Sequence, residues 1–213
     1  MIEDLFSLYL QRRNFFFTLI LQHLWISGIA VAIAGVVGLT LGVWIAQFRK
    51  SAPFVMGFTN FVYTIPSIAL FGFLIPFSGV GDSTAIIALT VYALLPMVRN
   101  TFTGITGIDP EILEAAKGMG STPWQIVMRI KLPLAFPVIL SGIRTMVVMT
   151  ISLAGIAAFI GAGGLGVAIY RGITTNNMTM TVAGSLLIAL LALLGDWGVG
   201  RYEHYIKKKR HMI

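Results

Sequence analysis

Asp109-Pro110-Glu111-Ile112-Leu113-Glu114-Ala115-Ala116-Lys117-Gly118-Met119-Gly120-Ser121-Thr122-Pro123-Trp124-Gln125, running on through Ile126 to Pro133, is the stretch on which the reading of this chain turns. It is too polar to cross a bilayer, yet long apolar runs lie on both sides of it. Asp109 reads as an N-cap and Pro110 as the first helical residue, where a missing N–H costs nothing. A short helix is expected over Glu111 to Lys117, ended by Gly118 and Gly120. Thr122, Pro123 and Gln125 then carry the capping-box pattern that starts a second helix. Pro133 and Pro137 mark the entry into the next apolar run. The expected unit is two short helices at a glycine hinge, lying outside the membrane. A membrane protein keeps such a unit where something docks on it.

The flanks make the membrane unavoidable. Of the 213 residues, 57% are hydrophobic and 11% charged, against about 45–50% and 25% in soluble domains. Five runs are long enough for helical spans, which need about 20 mostly apolar residues. They lie at about Leu24 to Ala46, Phe54 to Phe77, Thr84 to Phe102, Leu134 to Ile160 and Met180 to Val199. Pro66 and Pro76 are expected to kink or break the second. A helix at Leu5 to Phe17 reads as amphipathic or interfacial. The fold class is an all-α integral membrane protein. Its organisation is an interfacial N-terminal segment over 1–19, a membrane domain over 20–200 with its polar loop at about 103–133, and a basic tail over 201–213.

Positive charge sets an orientation. Arg49 and Lys50 follow the first span, and Arg99, Lys117, Arg129 and Lys131 accompany the polar loop. Arg201, Lys207, Lys208, Lys209 and Arg210 follow the last span. The opposite side holds only Arg12, Arg13 and Arg171. The polar loop and C-terminus are therefore expected in the cytoplasm and the N-terminus outside. The basic tail could be read as a nucleic-acid arm, but a run directly after a span is an interfacial anchor, so no nucleic-acid partner is expected. Met-Ile-Glu-Asp at the start lacks the basic region of a cleavable signal peptide. With no cysteine in the chain, disulfides, thiolate metal sites and Cys nucleophiles are excluded.

Glu114-Ala115-Ala116, Gly120, Ile130, Leu132 and Pro133 fill every fixed position of the pattern EAA-x3-G-x9-I-x-LP. The chain thus resembles the permeases of ATP-binding-cassette importers with the type I fold. Three further stretches narrow the likeness: Tyr63-Thr64-Ile65-Pro66-Ser67-Ile68-Ala69-Leu70, Tyr92-Ala93-Leu94-Leu95-Pro96 with Arg99-Asn100-Thr101, and Gly161-Ala162-Gly163-Gly164-Leu165-Gly166. Together they are similar to permeases for glycine betaine, carnitine and choline, osmoprotectants of the quaternary ammonium class. Methionine-importer permeases share parts of these motifs, so a methionine or other small-solute permease is the alternative.

The resemblance implies a complex. It contains two permease subunits, identical or closely related, two cytoplasmic ATPase subunits, and an extracytoplasmic substrate-binding protein, all at a bacterial inner membrane. The coupling contact would use Glu111, Glu114, Ala115, Ala116, Gly118, Gly120, Trp124, Ile130, Leu132 and Pro133. Candidates for the translocation path or its gate are Tyr63, Thr64, Pro66, Ser67, Tyr92, Asn100, Arg144, Gly163 and Gly164. The chain contains no G-x-x-x-x-G-K-[ST] phosphate loop, so no cofactor is expected in it. ATP and Mg would bind the partner ATPase, and the chain itself is not expected to be an enzyme.

Each sharp reading has a plainer rival. Gly161 to Gly166 fits G-x-G-x-x-G, but no βαβ context surrounds it, and a tight turn or gate element is the better reading. Glu114 has no second acid partner in a plausible catalytic cleft and no histidine nearby, which leaves docking. Arg144 sits inside a span, where a charge is costly and points into protein; it could pair with Asp196 or line the path. Tyr63 and Tyr92 could meet a quaternary ammonium through cation–π contacts, or simply pack. His23 and His204 read as interface residues, and the three histidines have no metal-ligand spacing. An ion-driven secondary transporter would need an intramembrane acid placed for coupling, and none is evident. A membrane scaffold would differ by carrying no substrate flux.

Overall fold

The computed structural model describes residues 2–209, and among these it is helical without a strand. Ten α-helices follow in order. They are α1 Ile2–Gln11, α2 Arg13–Gln47, α3 Ala52–Thr64, α4 Ser67–Ser78, α5 Asp82–Thr106, α6 Pro110–Gly118, α7 Pro123–Gln125, α8 Leu132–Ala154, α9 Gly166–Thr174 and α10 Met178–Lys209. Four continuous rods are long and apolar enough to cross a membrane: α2, α5, Pro123–Ala154 and α10. The bent pair Arg49–Thr64 and Ser67–Ser78 supplies the fifth if it is taken as one span.

Helix α5 is the hub, packed between α2 and α8. Lipid tails are as apolar as leucine, so helices in a bilayer gain by close approach of backbones over small residues. Ala30 and Ala34 of α2 are fully buried. A Cβ on Gly38 would stand 2.7 Å from Met97, and one on Gly42 2.5 Å from Thr101. On the other side of α5, a Cβ on Gly142 would meet Asn100 at 2.6 Å. The outer surface is apolar, with Phe54, Phe58, Phe61, Phe73 and Phe77 all exposed on α3 and α4.

Four boundaries depart from the sequence reading. The N-terminal helix stops at Gln11, with a break at Arg12, and residues expected to lie flat belong to the 35-residue α2. In the second span Pro66 does separate α3 from α4, which meet at 100°, whereas Pro76 sits inside α4 without ending it. The second short helix of the polar loop is not separate. From Pro123 it runs through a wide π turn at Ile126–Lys131 straight into α8, with Pro133 and Pro137 inside the rod. Finally, α10 runs on past the expected span end at Val199 through Arg201 and Lys207 into the basic segment; positions 210–213, including Arg210, lie outside the described residues.

Candidate functional site

The two ends of α5 carry different chemistry, about 37 Å apart for 25 residues at 1.5 Å each. At its C-terminal end lies α6. The Asp109 side chain accepts from the Glu111 N–H at 2.9 Å, as an N-cap should. Gly118, expected to end the helix, is still inside it. Gly120 is the residue that ends it, at φ +80. The Gly120 N–H donates to the Lys117 carbonyl at 2.9 Å and the Ser121 N–H to the Ala116 carbonyl at 3.1 Å, a Schellman closure with glycine in the left-handed position. Thr122 and Gln125 then exchange both bonds of a capping box: the Thr122 N–H donates to Gln125 Oε1 at 2.8 Å, and the Gln125 N–H to Thr122 Oγ1 at 3.3 Å.

This turn exposes what an inward-facing helix would hide. Glu111, Glu114, Ala115 and Gly118 are exposed, while Ala116 is buried against the body. Trp124 is 67% and Met119 80% exposed, and Ile112 joins them. Ile126 and Val127 anchor the turn from below, with Ile130, Leu132 and Pro133 half-buried. A platform of two acids and three large apolar side chains on a rigidly capped helix is suited to docking. Met119 and Ile112 were missed by the motif, which records only its fixed positions; their hydrophobicity next to capping residues was the available signal. Gly118 has ordinary φ and open space around it, and nothing within this chain requires glycine there.

The path candidates do not form one cluster. Tyr63, Thr64, Pro66 and Ser67 gather at the α3–α4 break, and Tyr92 reaches them from α5. The two tyrosine rings pack edge to face with centroids 5.8 Å apart. The buried Tyr92 hydroxyl donates to the Ile65 carbonyl, one of the backbone groups left over where the helix breaks. Tyr63 is 45% exposed and bonds Met149 Sδ of α8 at 3.2 Å. Asn100 stands two turns further along α5, its Nδ2 donating to the Pro96 carbonyl at 2.8 Å.

Arg144 lies elsewhere again, on α8 facing α10. Its Nε and Nη2 donate to the two carboxylate oxygens of Asp196, each at 2.6 Å. Glu203 approaches Arg144 Nη1 at 3.9 Å and takes Lys207 Nζ at 2.7 Å. Of the two roles open to Arg144, pairing is the one whose geometry is present, and Glu203 extends it.

Gly163 and Gly164 sit at the far end, beside the start of α5. Three successive backbone N–H groups of their loop are each taken by a side chain from another helix. Gly163 donates to Asp82 Oδ1 at 2.8 Å, Gly164 to Gln22 Oε1 at 3.2 Å and Leu165 to His23 Nδ1 at 3.3 Å. Gly164 has φ +93, and its would-be Cβ meets His23 atoms at 3.1–3.3 Å. His23 is fully buried rather than an interface residue. With Nδ1 accepting, its Nε2–H donates to the Ile151 carbonyl at 2.9 Å, in the last turn of α8 where carbonyls lack helical partners. Local sequence could not reveal this staple, because its partners lie 128 and 142 residues away.

Two specialised ends joined by membrane-length helices are the layout of a transport permease. The chain belongs to the binding-protein-dependent transport system inner membrane components, a family that matches residues 38–208. It is 43% identical over 205 residues to the osmoprotectant import permease protein OsmW of Salmonella typhimurium, covering 94% of this chain and 95% of the relative. It is 40% identical over 188 residues to the glycine betaine/carnitine/choline transport system permease protein OpuCB of Bacillus subtilis, covering 88% and 87%. Among solved structures, a chain of the MetNI methionine ABC transporter in an inward-facing conformation superposes with TM-score 0.82 at 24% identity, over 90% of this chain and 95% of that one. The fold is that of type I ATP-binding-cassette importer transmembrane domains, and the chain is a multi-pass inner-membrane permease.

Proposed function

We propose that this permease imports small quaternary ammonium osmoprotectants, of the glycine betaine, carnitine and choline type, in a complex driven by a separate ATPase. The observation that carries the substrate class is identity of 43% and 40%, over 94% and 88% of this chain, to permeases named for those solutes. The partners are a second permease subunit, two ATPase subunits that bind ATP and Mg, and an extracytoplasmic binding protein. The ATPase docks on the α6 platform through Glu111, Glu114, Ala115, Gly118 and Trp124, with the exposed Met119 and Ile112 adding apolar contact. The basic residues near that platform support an orientation with the platform and C-terminus in the cytoplasm and the N-terminus outside.

The chemistry favours a division of labour. A quaternary ammonium offers no hydrogen-bond donor, so tight selection needs several converging aromatic rings. Tyr63 and Tyr92 make one pair, and Tyr92 is committed to the helix break. High affinity then belongs to the binding protein, while the permease supplies a path whose sites must be weak enough to release. The test is reconstitution of the full complex in proteoliposomes, with ATP hydrolysis and uptake measured for glycine betaine, carnitine, choline and methionine. Stimulation by the first three supports the reading; stimulation by methionine alone sinks it in favour of an amino-acid permease.

A further inference from the structure

The end of the molecule opposite α6 holds an open cleft of about 770 Å³ between the first turns of α2, the start of α5, the glycine loop and α9. Its size falls within the roughly 300–1,000 Å³ of small-molecule sites. Phe15, Gln22, Asp82, Gly163, Val167 and Arg171 are among its walls. Asp82 and Arg171 are both exposed there, and among the described residues no ion pair joins either to an opposite charge. Each is nevertheless held in place. Asp82 commits Oδ1 to the Gly163 N–H at 2.8 Å, which leaves its second oxygen uncommitted. The Arg171 guanidinium carbon lies 5.3 Å from the centroid of the Phe15 ring. No hydrogen bond or ion pair among the described residues takes the guanidinium N–H groups, and their planar fork matches a carboxylate.

We propose that this cleft is a weak receiving site for zwitterions, in which Arg171 takes the carboxylate and Asp82 faces the quaternary ammonium, with the Phe15 and Val167 side chains against the methyl groups. The proposal rests on the osmoprotectant reading and goes past it, since it divides the substrates by chemistry. Betaine and carnitine carry both charges; choline carries the ammonium and a hydroxyl but no carboxylate. Arg171 therefore discriminates among substrates, while Asp82 serves all of them. Both charges are exposed to water, which screens them and keeps binding weak, as release into a path requires.

The test uses the whole complex in proteoliposomes, with initial uptake of glycine betaine, carnitine and choline measured for wild type, Arg171→Gln, Arg171→Lys and Asp82→Asn. Asparagine keeps the oxygen that accepts from Gly163, so the loop stays latched while the charge is lost. Arg171→Gln is expected to lower betaine and carnitine uptake about two- to fivefold, the scale of an exposed, water-screened charge pair, and to leave choline uptake unchanged. Arg171→Lys is expected to recover part of the loss, and Asp82→Asn to lower all three. If Arg171→Gln lowers all three alike, the arginine serves docking of the binding protein and the proposal fails. If it lowers none, the cleft is not on the substrate's route and the proposal fails. A wild-type complex that carries none of the three overturns the osmoprotectant reading and this proposal with it.

Discussion

Arg144 and Asp196 face each other across α8 and α10 with two parallel 2.6 Å hydrogen bonds, a fork-on-fork ion pair inside membrane-length helices. In a bilayer such a pair matters chiefly through the charge its breaking leaves behind, Asp196 without a partner or Arg144 with only Glu203 at 3.9 Å. Arg144→Leu and Asp196→Leu are each expected to lower the yield and melting temperature of the purified permease. The double variant should recover most of both, because no orphan charge remains. Singles that melt like wild type, or a double that is worse than either single, would remove the pair from the account.

Gly120 is required by its backbone angle and by nothing else, since open space surrounds it. Gly120→Val forces a branched residue into the left-handed region at about 1–2 kcal/mol, so the loop should abandon the Schellman closure. Membrane insertion should persist, while ATPase binding and uptake fall together. Gly118→Ala is the informative contrast: it fits within this chain, so a loss of ATPase binding there would show that a partner surface approaches Gly118 closely. Normal uptake by Gly120→Val would show that the α6 turn is not the coupling contact.

His23 carries the staple between α2, α8 and the glycine loop. His23→Ala leaves the Ile151 carbonyl and the Leu165 N–H without partners, at about 1–3 kcal/mol for each buried group. Thermal unfolding in detergent should shift down, and protease should reach the loop at Gly163 sooner. An unchanged melting curve would mean that water or a neighbour replaces both bonds.

The tyrosine pair separates structure from transport. Tyr92→Phe frees the Ile65 carbonyl at the helix break and is expected to destabilise the protein. Tyr63→Phe loses only a contact to sulfur and should be close to neutral for stability. Tyr63→Ala should slow uptake modestly without altering which solute is preferred. A switch in preference would place the selectivity in this chain rather than in the binding protein.

Orientation can be read by single-cysteine labelling, because the chain has no cysteine of its own. Membrane-impermeant reagent on intact cells is expected to label cysteines placed at Asp82 and Asn176, and to miss those at Lys117 and Lys208. Labelling at 117 from outside would invert the topology.

What could be read from the sequence was local chemistry. Asp109, Gly120 and the Thr122–Gln125 pair announce their caps within four residues, and the structure places each of them as read. Proline was ambiguous. Pro66, Pro76 and Pro96 look alike in the chain, yet only Pro66 ends a helix; a proline's effect depends on whether neighbouring helices accommodate the backbone around it. The break at Arg12 did leave a trace, the polar run Gln11-Arg12-Arg13-Asn14 between apolar stretches, whereas the fusion of the second loop helix with α8 left none. Gln22 and His23 left none either, because their role exists only once α2 lies beside a loop 142 residues away. The pairing of Arg144 with Asp196 is legible in the sequence as one of two options, because a charge within a span demands a partner.

The unbroken rod from Pro123 to Ala154 sets how movement can pass through this molecule. Its 32 residues span at most about 48 Å at 1.5 Å per residue, from the edge of the platform to just past Ile151, whose carbonyl His23 grips. A rod of fixed length cannot pull or push its two ends apart; it can only lean. The wide turn at Ile126–Lys131 and the prolines just beyond it are the places where it can pivot. A partner that shifts the platform sideways therefore swings the far end in an arc, and the small angle at the pivot becomes a larger displacement at the glycine loop. The quantity to measure between states of the permease is therefore the tilt of this rod, which is expected to change while its length does not.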